Sequence, residues 1–461
     1  MRLPTQRAIG YHAGVRAHLG VLVLATISCT SRSRAASGDE IPVRVVTVAE
    51  GLLQPVSLAF TPEGDLFVSE KQTGNVRLVR RATSDKPAAP ETAATLGPVD
   101  PRSERGLLGL ATHPRWSQGK RLLYAYYTTA ERPAVQRVVA LEMDERLRAK
   151  GAPRVILDGL PAAPPGGLNH DGGVITLREE GGRTLLYVFC GDNALGQREP
   201  IWPHPSQEVS WVDAETGKPD TTPLAAAGDC PARHYSLHGK ILRVRDDGGM
   251  PGDNPTVVGA GGDRAQGRCS PIFALGLRNG YGMGFHPHTG DLWVTDNGNE
   301  RDEEVHRIVA GGNYGWPCMH GRTPNTDDGD FWGTSRGACA KLRGAFSPPE
   351  YIDPGRPGAD NTPGYAGLAF ISRCQAYGPS YLGNLVWASS DGRLFRARPR
   401  PPAYREFLGV DTSWVTLRFP VDVETGPDGL LYVADLSGSV HRIVPARPVP
   451  PGGCLAAPAQ Q

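Results

Sequence analysis

Apolar and polar positions along this chain fall into one recurring pattern. A short apolar strand leads into a turn carrying Pro or Gly, and a second strand rich in β-branched and aromatic residues closes on a small or acidic residue. The unit reads SLAFTPEGDLFVSE at 57–70, LGLATHPRWSQGKRLLYAYY at 108–127, GGVITLREEGGRTLLYVFCGD at 172–192, YGMGFHPHTGDLWVTDNG at 281–298, GLAFISRCQAYGPSYLGNLVWASSDG at 367–392 and VDVETGPDGLLYVADLSG at 421–438. Further strands follow most copies, as in NVRLVR (75–80), EVHRIV (304–309), RLFRARP (393–399) and SVHRIV (439–444). Three or four antiparallel strands per unit make a propeller blade. A lone blade cannot bury both its faces, so blades pack radially around a channel as one domain without an open edge. The pattern therefore predicts an all-β fold, a six-bladed β-propeller with elaborated loops on one face, spanning 37–448 and followed by a disordered tail at 449–461. The first and last units lie near the chain ends, which permits N- and C-terminal strands to close one blade. A β-sandwich or two smaller β domains is the alternative. The widest gap between units, 193–280, holds the segments 193–236 and 246–273, expected as loops at the channel mouth.

Composition agrees with short strands and tight turns: 58 Gly and 42 Pro are spread along the chain, while aromatics make up 7%. Lys plus Arg (49) nearly balances Asp plus Glu (48), and no basic run of five residues occurs. The electrostatic footprint of a nucleic-acid binder is absent. At the N-terminus, Arg2, Arg7 and Arg16 precede the apolar run LGVLVLATI (19–27), too short to span a bilayer and followed by Ser28-Cys29. A basic flank and a short apolar core describe a signal peptide within 1–36. Cys29 also fits a lipoprotein cleavage box, although Thr26 stands where Leu is usual; cleavage near Ala35-Ala36 without a lipid is the alternative. The expectation is an exported protein, periplasmic or tethered to the outer membrane through Cys29.

Beyond Cys29 the cysteines are Cys190, Cys230, Cys269, Cys318, Cys339, Cys374 and Cys454, with no CxxC pair. Metal-finger spacing is therefore missing, and disulfides are the natural use in an oxidising compartment. The pair nearest in sequence, Cys318 and Cys339, closes a Gly- and Asp-rich loop and is the first expected bridge. The odd number leaves at least one thiol unpaired within the chain.

Four segments place polar groups where blade loops should meet. Asn169-His170-Asp171-Gly172-Gly173 opens the third unit, and a neutral imidazole there can take a proton from a substrate hydroxyl; a hydrogen-bonded surface histidine is the plain alternative. Gly191-Asp192-Asn193, followed by Gly196-Gln197, closes the same unit, and Asp192 could orient His170 or cap a turn. Arg278, in Leu277-Arg278-Asn279-Gly280, could pair with a cofactor carboxylate or quinone oxygen, or with a neighbouring blade. The stretch from Asp296 to Glu304, followed by Gly311-Gly312-Asn313-Tyr314-Gly315-Trp316-Pro317, is dense in hard oxygen ligands of the kind Ca²⁺ takes, without EF-hand spacing. A solvated acidic loop would look the same.

Together, LGLRNGYGMGFHPHTGDLWVTDNGNERDEEVHRIVAGGNYGWP (275–317), ERGLLGLATHP (104–114), NHDGG (169–173), LHGKILRV (237–244) and GPDGLLYVAD (426–435) resemble the soluble glucose and aldose sugar dehydrogenases that use pyrroloquinoline quinone (PQQ). The resemblance covers most of 45–445. It implies that His170 is the catalytic base, with Asp192 and Gln197 as its partners. Arg278 and Asn279 would hold PQQ, and the carbonyls of Gly298 and Asn299 would ligate a catalytic Ca²⁺. Glu304 and Tyr314 would belong to a second, structural Ca²⁺ site. The implied reaction is oxidation of an aldose or related sugar by hydride transfer to PQQ with Ca²⁺ assistance, electrons passing on to a soluble or membrane acceptor. This chain departs from the family pattern in three places: Glu104 stands where Gln is frequent at the cofactor, Val421 replaces an Arg, and Ser390 or Asp391 replaces a Lys. Arg343, Arg373 and Arg393 are the candidate compensating cations. The departures keep two rivals in view, a catalytically silent propeller that binds at the cell surface and a Ca²⁺-dependent lactonase.

Overall fold

The computed structural model describes residues 40–163, 169–195, 204–207, 235–260, 262, 264–265, 267–299, 301–325, 339, 345–353 and 363–450. The expected signal segment with Cys29, Gln197, Arg343 and the segment beyond 450 lie outside the described residues.

Strands pair antiparallel in six four-stranded sheets. From the axis outward, blade one comprises Pro55–Phe60, Leu66–Glu70, Asn75–Val79 and Glu91–Thr95; blade two Leu107–Thr112, Leu122–Thr128, Gln136–Met143 and Ala149–Leu160. Blade three comprises Gly172–Glu180, Arg183–Cys190, Lys240–Arg245 and Ile272–Leu275; blade four Met283–Phe285, Leu292–Asp296, Glu303–Ile308 and Tyr351–Asp353. Blade five comprises Tyr365–Phe370, Leu385–Ser389, Arg393–Pro399 and Phe407–Thr416. Blade six is closed by the chain ends: Pro420–Thr425, Leu431–Asp435 and Ser439–Pro445 are completed by Val43–Ala49, which pairs with Ser439–Pro445. The protein is a six-bladed β-propeller, and each of the six sequence units supplies the two inner strands of one blade.

The apolar runs have a simple physical origin. Successive side chains on a strand point to opposite faces, and in a propeller both faces meet a neighbouring blade. In Leu66–Glu70, Phe67 packs against blade two while Leu66 and Val68 pack against blade six. In Arg183–Cys190, Leu186, Val188 and Cys190 face blade two, whereas Leu185, Tyr187 and Phe189 face blade four. Six separate apolar layers result, one for each seam between blades. A fully buried leucine such as Leu431 contributes about 2 kcal/mol by burial.

Side chains also stitch the inner strands together. Ser57 Oγ accepts the Leu110 N–H at 3.0 Å, and at the closing seam Asp422 Oδ2 accepts the Leu58 N–H at 2.8 Å. Thr112 donates to Phe60 O and Thr425 to Phe370 O, each at 2.8 Å. An axial cavity of about 320 Å³ is lined by Thr112, Thr176, Asp422, Glu424 and Thr425 among others.

Loops reach both ends of the ring. The 193–236 segment leaves blade three beside Asp192. The 246–273 segment, expected at the same mouth, starts at the other end: Asp246 pairs with His113, which follows the inner strand of blade two, at 3.2 Å. It leaves there because the third strand of a blade runs away from the loop that joins the second to the third. The Cys318–Cys339 disulfide forms as expected, with Cα atoms 5.3 Å apart. Cys269 and Cys374 are also disulfide-bonded, and Cys190 is a buried free thiol.

Candidate active site

The inner strand of blade three starts directly after Asn169-His170-Asp171, so the register of that strand delivers His170 to the mouth. His170 holds an unusual backbone conformation for a non-glycine residue, with φ at 59°. Three groups maintain it. The Glu104 carboxylate accepts the His170 N–H, while the Asn193 N–H at 3.0 Å and Asn193 Nδ2 at 3.3 Å donate to the His170 carbonyl. Gly191 allows the close approach, because a Cβ there would lie 2.0 Å from that carbonyl. Strained backbone of this kind is held only where the surroundings over-determine it, typically at functional sites.

Asp192 follows the second strand of the same blade and lies 2.7 Å from His170 Nδ1 through Oδ1. Its other oxygen accepts the Trp316 indole N–H at 2.8 Å. Asp192 is fully buried, which by itself would raise its pKa; the interaction and hydrogen bond with His170 and the nearby Arg278 charge outweigh burial and hold it at about 2. With Nδ1 engaged by an anionic carboxylate, proton acceptance falls to Nε2 of His170.

Arg278 and Asn279 arrive on the loop between blades three and four. Their backbone N–H groups are gripped by the buried Asp296 carboxylate, at 2.9 Å from Arg278 and 2.6 Å from Asn279. The Arg278 carbonyl accepts the Asp192 N–H at 2.8 Å, which ties this loop to blade three. The guanidinium donates to Asn297 O at 3.0 Å and Asn299 Oδ1 at 3.4 Å and lies over the Trp316 ring, 5.2 Å from its centroid. Its Nε is buried without a hydrogen-bond partner. Asn279 Nδ2 donates to Glu104 at 3.2 Å and to the Tyr281 hydroxyl at 3.0 Å. His170, Asp192, Arg278, Asn279 and Glu104 therefore form one connected group.

The bend carrying Gly298 and Asn299 borders that group. The Gly298 N–H donates to Glu303 and the Asn299 N–H to His320 Nε2 at 3.1 Å, so both N–H groups are drawn into the protein. A Cβ on Gly298 would lie 2.0 Å from Arg301 O. Glu304 lies deeper, with Asp296 and His306, the three placing ligand-type atoms within 4.8 Å of one another. Burial and the nearby Glu304 charge push Asp296 up to about 7. Glu304 meets His306 Nε2 at 2.6 Å and the Gly321 N–H at 2.6 Å. Burial opposes a charged His306, but the Glu304 hydrogen bond outweighs it and raises the imidazole pKa. The Tyr314 hydroxyl points into the seam between blades three and four, donating to Arg307 O at 3.0 Å.

Val421 packs against the apolar layer between blades six and one, and the Ser390 N–H donates to Gly364 O. Arg393 is paired with Asp391 at 2.7 Å and lies over Phe395, while Arg373 packs at Gly429, beyond the far end of the blade-six inner strand. Arg373 thus lies at the end of the ring away from His170. Trp316, Asn193 and Tyr281 are site residues to which the sequence gave no individual role, and Asp296, expected only among the oxygen ligands of the acidic stretch, accepts the Arg278 and Asn279 N–H groups. The Gly-Trp-Pro at 315–317 was the available signal for one of them.

The glucose/sorbosone dehydrogenase family profile matches residues 52–442, and the chain belongs to that family. It is 25% identical over 284 residues to quinoprotein glucose dehydrogenase B of Acinetobacter calcoaceticus, covering 59% of this chain and 52% of that one. It is 24% identical over 279 residues to the aldose sugar dehydrogenase YliI of Escherichia coli K12, covering 60% and 62%. The matched stretch thus spans between half and two thirds of these curated relatives. Among solved structures, the PQQ-bound aldose sugar dehydrogenase of Streptomyces coelicolor shares the fold at 22% identity, with a TM-score of 0.61 over 89% of this chain and 99% of that one.

Proposed function

We propose that this sugar oxidoreductase is a PQQ-dependent dehydrogenase that oxidises an aldose or related sugar, with Ca²⁺ at the mouth of the propeller. The observation that carries the reading is the connected group in which Asp192 holds His170 Nδ1 at 2.7 Å while Arg278 lies beside the same carboxylate with a buried, unsatisfied Nε. These residues fit the quinone side of such a cofactor. Arg278 and Asn279 would hold it, and the carbonyls of Gly298 and Asn299 would face the cation; across the Gly298–Asn299 peptide the N–H is drawn to His320, which turns the Gly298 carbonyl the opposite way. When bound, PQQ supplies the two-electron acceptor. His170 Nε2 takes the proton of the sugar hydroxyl, Asp192 stabilises the resulting imidazolium, and Arg278 supplies positive charge where negative charge develops. The disulfides support an oxidising compartment, in keeping with export of the chain to the periplasm or outer membrane and transfer of electrons to a separate acceptor.

Val421 favours a second reading, a silent propeller of the same lineage that binds at the cell surface, because it stands where the resemblance implies a cation for the cofactor carboxylates. Steady-state dye reduction separates the two. Purified protein supplied with Ca²⁺ and PQQ is expected to reduce dye with at least one aldose, and His170→Ala to lower turnover by roughly 10²–10⁴-fold. No reduction across an aldose panel would refute the enzyme reading.

A further inference from the structure

Trp316 touches both halves of the site. Its indole N–H donates to Asp192 Oδ2 at 2.8 Å, and the face of the same ring supports the Arg278 guanidinium at 5.2 Å. The residue is itself fixed. Its N–H donates to Gly276 O at 2.9 Å, its carbonyl accepts from Gln207 Nε2 at 2.7 Å, and its side chain is buried. Gln207 in turn exchanges two hydrogen bonds with Asn313, at 3.0 and 2.8 Å, so the anchor reaches the segment that follows blade four.

The geometry points to Trp316 as a positioning residue that sets the proton-accepting pair and the guanidinium in one arrangement. The inference rests on the sugar dehydrogenase reading. Asp192 Oδ1 serves His170 Nδ1 and the Ala194 N–H, and a carboxylate can rotate about its terminal bond. The indole N–H on Oδ2 opposes that rotation. It thereby keeps Oδ1 on Nδ1 and the imidazole in the tautomer whose Nε2 accepts a proton. The ring face acts separately. It holds a cation whose Nε has no protein partner, with the head group aimed at Asn297 and Asn299. One side chain thus performs two functions through two different parts of the indole, and substitution can separate them.

Trp316→Phe keeps a ring face and removes the N–H; Trp316→Leu removes both. Three measurements follow: the His170 tautomer from ¹⁵N NMR of cofactor-free protein, PQQ affinity by calorimetry in Ca²⁺, and turnover with an aldose. Trp316→Phe is expected to turn a single Nδ1–H tautomer into a mixture and to lower turnover about tenfold, with PQQ affinity kept within about threefold. Trp316→Leu should show the same tautomer mixture and in addition weaken PQQ binding by about tenfold. A wild-type tautomer signal in Trp316→Phe overturns the inference, as does equal weakening of PQQ binding in both variants in step with their melting temperatures. Failure of the wild type to bind PQQ defeats the functional reading instead. The tautomer measurement, made without cofactor, still decides the role of the indole N–H.

Discussion

Replacing Asp192 by Asn keeps the shape of the side chain and removes its charge. The carboxylate accepts from His170 at 2.7 Å, Trp316 at 2.8 Å and the Ala194 N–H at 2.9 Å. Its pKa is held at about 2 against an ordinary 3.8. That difference corresponds to about 2 kcal/mol of native stability at neutral pH. Because the folded value is the lower one, this stability is present above about pH 4 and is lost as pH falls toward 2. Asn offers one acceptor oxygen and two N–H donors, so it cannot serve three donors, and one of its N–H groups must oppose another donor. The expected stability cost at pH 7 is about 2–4 kcal/mol, with turnover lowered about 10²–10³-fold as the imidazole loses its tautomer. Urea unfolding at pH 7, 5 and 3 reads the first quantity and dye reduction the second. The gap between wild type and Asp192→Asn should narrow at pH 3. Coincident unfolding curves at pH 7, or a gap that widens on acidification, would refute the electrostatic account of this pair.

Three further outcomes follow from other parts of the molecule. In the axial cavity, burial pushes Glu424 up to about 8 and Asp422 up to about 7, so the stability tied to their neutral forms is lost as pH rises through that range. Glu424→Gln should therefore be more stable than wild type at pH 9 by about 1–2 kcal/mol, allowing for screening by channel water, and near it at pH 5; equal melting shifts at both pH values would count against this. Glu104→Ala removes the acceptor that holds His170 in its left-handed conformation and should lower turnover by at least about tenfold, while Glu104→Gln keeps an acceptor oxygen and should stay close to wild type. Gly298→Ala forces a Cβ against Arg301 O and should weaken Ca²⁺ binding about tenfold by calorimetry; unchanged affinity would show that this bend is not the cation site.

The inner strands were legible because each is pressed between two blades. Leu431 to Asp435 has every side chain buried, so its first four residues read as an unbroken apolar run beside a turn. Outer strands carry no such signature. Ala149–Leu160 is mostly exposed and Glu91–Thr95 is small and polar, so neither needs an apolar pattern to be a strand. The site divided in the same way. His170, Asp192, Arg278 and Asn279 sit in short motifs at the ends of inner strands, where type and position together suggest chemistry. Trp316 and Asp296 act through contacts that spacing does not encode; the Trp316 hydrogen bond to Asp192 joins residues 124 apart in the chain. Glu104 read as a departure at the cofactor; its grip on the backbone of His170 and the side chain of Asn279 was not legible in the sequence.

In the proposed function, the mouth built by His170, Asp192 and Arg278 binds PQQ. The most direct test is calorimetric titration of the purified protein with PQQ in Ca²⁺, alongside His170→Ala and Arg278→Ala. Wild type is expected to bind saturably, His170→Ala to bind with nearly the same affinity, and Arg278→Ala to lose about tenfold or more, since a charge-assisted contact is removed from a buried position. No saturable heat from the wild type, or equal affinity across all three proteins, would contradict this reading.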